Sequence, residues 1–268
     1  MNWSVGRSRK LKKAINQVNQ VTIPIYSDNK YIRDYFDFED VCNEFDNERI
    51  CVEDSANVLD ILSATNTINR SEHMLEGINF YKDLEKRSEL FLDLGFGSGD
   101  SLMHHLKNSD ALILGCEIFK PGIYGAVEKI NSILGEVEAR KASERTRLFL
   151  AFYQDILRKV PNASVDKIFM LFPDPWPKFK HSKRRCYNLP NLDLLLFRSL
   201  KTGGKFIFAS DIKEIADGMY RMLCDIDFTG GSLARYECKN ISEFEYKTTY
   251  ARKAFSNGRS AYVIEYTR

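Results

Sequence analysis

Leu90-Phe91-Leu92-Asp93-Leu94-Gly95-Phe96-Gly97-Ser98-Gly99 decides the fold. A short apolar run reads as a buried strand, alternating glycines end it, and Ser101 to Lys107 continues as a helix. The alternation then repeats. Ala111 to Glu117 reads as a second strand with a helix from Pro121, Arg147 to Phe152 as a third, and Lys167 to Phe172 as a fourth. Leu192 to Leu200 and Ile212 to Cys224 read as helices around a fifth strand, Lys205 to Ala209, and Ser260 to Tyr266 alternates like a closing strand. Strands alternating with helices imply βαβ units, so the fold class is α/β with a doubly wound, mostly parallel sheet. In such sheets ligands sit beyond the carboxyl ends of the strands, where strand order reverses.

The strand ends carry the chemistry. Gly95 and Gly97 allow a ligand close approach to the backbone. The Gly-x-Gly-x-Gly spacing is not the dinucleotide pattern, and no Lys-Ser/Thr follows to hold a triphosphate. Glu117 ends the second strand, placed to accept from both hydroxyls of an adenosine ribose. Asp155 follows the third strand, where it reads as an acceptor for an adenine amino group or as a helix N-cap. Asp93 is expected to face a ligand ammonium or to cap loop amides. Three acids around a glycine turn suit a cationic nucleoside cofactor, S-adenosyl-L-methionine.

After the fourth strand comes Phe172-Pro173-Asp174-Pro175-Trp176-Pro177-Lys178, then His181-Ser182-Lys183-Arg184-Arg185. Proline on both sides leaves Asp174 little backbone freedom. A rigid carboxylate there, beside an indole and a cationic tail, suits recognition of a flat, polar base on a phosphate backbone, which makes Asp174 the candidate catalytic residue. Trp176 reads as a base-stacking platform or as an indole packed under the proline turn. Lys178, Lys180, Lys183, Arg184 and Arg185 are expected to grip phosphates, with Arg7 to Lys13, Lys247, Arg252, Lys253 and Arg259 extending that surface. The histidines show no metal-ligand spacing.

These stretches, with Gly115-Cys116-Glu117 and Ala209-Ser210-Asp211, resemble the tRNA (guanine-N7)-methyltransferases over residues 90–268, two thirds of the chain. The resemblance implies a Rossmann-like methyltransferase with a seven-stranded sheet, acting with S-adenosyl-L-methionine on guanosine 46 of the tRNA variable loop. It implies cofactor contacts at Asp93, Glu117, Asp155 and Asp174, and tRNA contacts at Lys178, Asp211 and the segment from Thr248. One departure stands out: the family's Thr-x-Phe/Tyr-Glu-x-Lys/Arg element appears as Thr248-Thr249-Tyr250-Ala251-Arg252-Lys253, with Ala251 in place of Glu. Another Rossmann methyltransferase with a small-molecule acceptor, or a non-catalytic RNA-binding subunit, remains as an alternative.

The first third of the chain reads differently. Residues 1–88 are expected to form a basic arm and an acidic extension before a methyltransferase domain at 89–268. Ser71 to Lys86 reads as a helix. Ten acids and Arg49 between Asp34 and Asp60 give −9, so the remainder carries +11 against a net charge of +2. That segment reads as a solvated face or as a cover for the basic surface. The N-terminus lacks a secretory apolar stretch and no run reaches transmembrane length, so the cytoplasm is expected. The six cysteines show no Cys-x-x-Cys pair and read as buried thiols. A homodimer or a partner subunit is left open.

Overall fold

The computed structural model describes residues 25–26, 80–225, 233–240 and 242–268. The basic start, the acidic segment 34–60, Cys42, Cys51 and most of the expected helix over 71–86 lie outside these residues. The described elements are β1 (Ile25–Tyr26), α1 (Phe80–Glu85), β2 (Leu90–Leu94), α2 (Asp100–Asn108), β3 (Leu112–Glu117), α3 (Lys120–Glu144), β4 (Thr146–Leu150) and α4 (Tyr153–Lys159). They continue with β5 (Val165–Leu171), two short 3₁₀ turns (Phe179–Arg184 and Cys186–Asn188), α5 (Leu192–Ser199), β6 (Leu200–Ser210), α6 (Lys213–Cys224), β7 (Leu233–Lys239), α7 (Thr249–Ser256) and β8 (Ala261–Thr267).

The sheet order is β1-β4-β3-β2-β5-β6-β8-β7. Neighbours from β1 through β6 run parallel, while β8 lies antiparallel to both β6 and β7. The seven strands from β2 onward form the expected sheet, and β1 adds an eighth at the β4 edge. Building moves outward from β2 to β4, then returns to β5 on the other side. Strand order therefore reverses between β2 and β5, where Asp93 pairs with Phe169. The turns after these two strands share one crevice.

Both faces of the sheet are covered, which explains the continuous apolar runs. Leu90, Leu92, Leu94, Ile168 and Met170 pack on one face with residues of α4, α5 and α6. Phe91, Ile113, Leu148 and Phe169 pack on the other with residues of α2, α3 and α7. Four elements, β1, α4, β7 and α7, go beyond the sequence reading, and β6 begins earlier than expected. It runs back through Gly203-Gly204 to Leu200, and a register shift opposite Val165 and Lys167 absorbs the extra residues. Of the described cysteines, Cys116 and Cys186 are buried, but Cys224 and Cys238 are exposed, against the expectation of buried thiols. No helix among the described residues is long and apolar enough to cross a membrane.

Candidate active site

The turn after β2 is open where a ligand would approach. Gly97 has φ +58°, and a Cβ there would meet nothing within 4 Å. Gly99 is constrained by packing instead: a Cβ would sit 2.6 Å from that of Ala126 in α3. Glu117 holds the turn from the next strand, its Oε2 accepting from the Gly97 N–H and its Oε1 from the Phe119 N–H, both at 2.8 Å. Burial pushes the Glu117 carboxyl above the ordinary range despite these bonds, and Asp174 adds repulsion.

Asp155 occupies the first turn of α4, and Phe152 is the N-cap, so the capping alternative for Asp155 falls away. Burial raises its carboxyl too, against Arg158 at 3.7 Å. The Tyr153 phenol is raised by burial, with neighbouring Cys186, Cys116, Asp174 and Glu117 each adding to it. A tyrosine and three acids thus share a field of negative potential at the carboxyl ends of β3, β4 and β5. Just after β3 and β4, Ile118, Phe119 and Phe152 stay 54%, 48% and 47% exposed. Sequence reasoning passed over these three. The signal was available: large apolar residues directly after two strand ends, outside the strands' own alternation.

Asp174 is exposed, between two residues held at positive φ: Phe172 at +54° and Trp176 at +44°. Such conformations cost about 1–3 kcal/mol each and persist only when their surroundings fix them. The Phe172 N–H donates to Ala209 O at 2.7 Å, and its ring packs edge-on against Phe244. Trp176 meets His181 edge-on at 5.6 Å and carries the Arg184 guanidinium on its ring at 4.8 Å. Its carbonyl accepts from Arg185 Nε. The indole is packed, and its stacking partner is an arginine of the same turn.

Four of the expected site residues meet partners within the chain. Asp93 is 1% exposed, with Oδ2 3.5 Å from His105 Nε2 in α2. Strand parity is the reason, because Asp93 shares the face of Phe91, which α2 covers. Glu214 holds Arg185 at 2.7 Å, and the Tyr187 hydroxyl accepts from it at 3.1 Å. Thr248 is 9% exposed and caps α7, its hydroxyl oxygen accepting from the Ala251 N–H at 3.1 Å. Asp211 is paired with Arg259 at 2.5 Å. Lys178, Lys180, Lys183 and Arg184 are exposed.

Asp100, which opens α2, went unnoticed in the sequence. Its Oδ2 accepts from the Thr249 N–H at 2.5 Å and hydroxyl at 2.6 Å and lies 3.3 Å from Arg252; its Oδ1 pairs with Lys129. One carboxylate ties the glycine turn to the C-terminal helix.

Residues 87–264 match the model of a family described as "Putative methyltransferase". A tRNA (guanine-N(7)-)-methyltransferase from Bartonella henselae is 32% identical over 200 residues, covering 68% of this chain and 76% of that protein. The chain belongs to the tRNA (guanine-N7)-methyltransferase family. The family member from Paramagnetospirillum magneticum is 38% identical over 123 residues, 46% of this chain and 48% of that protein, so this match spans about half the relative's length. Among solved structures, a 16S rRNA methyltransferase, KamB, superposes with a TM-score of 0.52 at 13% identity, covering 71% of this chain and 93% of the other. That likeness is one of fold.

Proposed function

We propose that this chain transfers a methyl group from S-adenosyl-L-methionine to N7 of a guanosine in tRNA, position 46 of the variable loop, leaving S-adenosyl-L-homocysteine. One observation carries the reading: Asp174, fixed between strained residues and near enough to Glu117 to repel it, is followed directly by a run of exposed cations.

The residues present fit a cationic nucleoside donor. Gly97 leaves room at the backbone, Glu117 and Asp155 give acceptors in a field that favours positive charge, and Ile118, Phe119 and Phe152 offer apolar walls to a purine. The donor supplies an electrophilic methyl carbon on a positively charged sulfur. Guanine N7 presents a lone pair and no proton, so the chain needs no general base to create the nucleophile. Asp174 accepts from guanine N1–H and N2–H and fixes the plane of the base. Its charge also offsets the positive charge that arrives on the purine. Lys178, Lys180, Lys183 and Arg184 neutralise phosphates. Arg185, Asp93, Thr248 and Asp211 act behind this surface by holding its parts. Residues 89–268 carry the reaction, and a tRNA substrate goes with a cytoplasmic location.

Labelled donor incubated with tRNA transcripts that have or lack guanosine at the variable-loop position tests the reading. Label is expected on N7 of that guanosine alone; label elsewhere, or none, rejects it. Asp174→Ala is expected to lower turnover by about 10²–10³-fold with the fold intact by circular dichroism.

A further inference from the structure

Phe179 is 89% exposed, the most exposed large hydrophobic residue described, and it stands in the middle of the cationic run. It opens the 3₁₀ turn Phe179–Arg184. Such a turn has three residues per revolution, so side chains three apart share a face. His181 and Arg184 form one face, and both rest on Trp176. Lys180 and Lys183 form the second and are exposed. Phe179 lies on the third, beside the lysine face. The Trp176 ring is already occupied by Arg184, whereas Phe179 has no ring or cation partner among the described residues. No acid lies between Asp174 and Asp193.

We infer that Phe179 is a base-stacking platform for the RNA substrate, five residues beyond Asp174, with Lys180 and Lys183 gripping the phosphates of the stacked nucleotide. This rests on the proposed function. An aromatic face held out among cations matches the two parts of a single-stranded nucleotide, a π-face and an anion. It suits a second copy of the chain poorly, because the same cations would then meet one another.

The test measures tRNA affinity by fluorescence anisotropy across a salt series for wild type, Phe179→Ala, Phe179→Trp and Lys183→Ala. Stacking is not an ion-release term, so Phe179→Ala is expected to weaken binding by about five- to a hundredfold at every salt concentration with an unchanged log–log slope. Phe179→Trp is expected to restore affinity, while Lys183→Ala lowers the slope by about one. Unchanged affinity in Phe179→Ala, a changed slope, or no rescue by tryptophan overturns the inference. So does a shift in sedimentation on removing the ring, which would mark a contact between copies. If wild type itself shows no salt-dependent tRNA binding, the proposed function falls and this inference with it.

Discussion

At Asp155 burial sets the cost of a carboxylate. Burial raises its carboxyl above the ordinary range, and Arg158 at 3.7 Å only partly compensates. A carboxyl with a raised folded-state pKa binds its proton more tightly when folded, so its ionised form costs stability at neutral pH and that loss is recovered as pH falls. Asp155→Asn is therefore expected to raise the melting temperature of the ligand-free protein, by the equivalent of about 1 kcal/mol, while weakening donor binding. Calorimetric melting and titration measure the two effects. Donor affinity of the wild type should also decline as pH falls, starting above the ordinary carboxylate range of about pH 4, because Glu117 is raised as well. The placement of Glu117 at the end of β3 and of Asp174 in the turn after β5 was legible in the sequence because strand ends and prolines fix both locally. The pairings of Asp93 with His105 and of Arg185 with Glu214 were not, since one depends on strand parity against α2 and the other on a residue far along the chain.

At the scale of elements, α7 is too short to be stable alone. Thr248 caps it from within, and Asp100 accepts from its first N–H from across the crevice. Burial raises the Asp100 carboxyl, but bonds from Lys129 and Thr249 outweigh burial and hold it below the ordinary range. A carboxyl depressed in the folded state contributes stability above its unfolded pKa and loses it as pH falls through the folded value. Asp100→Ala is expected to destabilise the docking of α7 by about 1–3 kcal/mol, leaving the unpaired Thr249 N–H behind. Hydrogen exchange over residues 249–256 should accelerate in the variant while β2 to β5 stay protected. Uniform exchange across both regions would show instead that Asp100 serves the whole fold. Ala251, where the resemblance leads one to expect Glu, sits in this helix fully buried in the core. β2 to β5 were readable because their runs are apolar on both faces. β7 escaped because Leu233–Lys239 mixes small, charged and aromatic residues at the sheet edge, and only its pairing with β8 defines it.

Charge acts on the molecule as a whole. Outside residues 34–60 the chain carries +11, and those residues carry −9, so the small net charge hides a strongly basic body. An RNA approaching from beyond contact distance responds to the sum of these charges, and salt screens it over about 10 Å at 0.1 M. Deleting residues 34–60 is expected to speed association with tRNA several-fold at low salt. The gain should vanish near molar salt, where only contacts within about 3 Å survive screening. Stopped-flow association rates at matched ionic strengths measure this directly. A gain that persists at high salt would mean that the segment obstructs the crevice sterically. No gain at low salt would mean that these acids lie outside the field that steers RNA. The two departures separate because steric exclusion is indifferent to counterions, whereas attraction between a basic body and a polyanion is not.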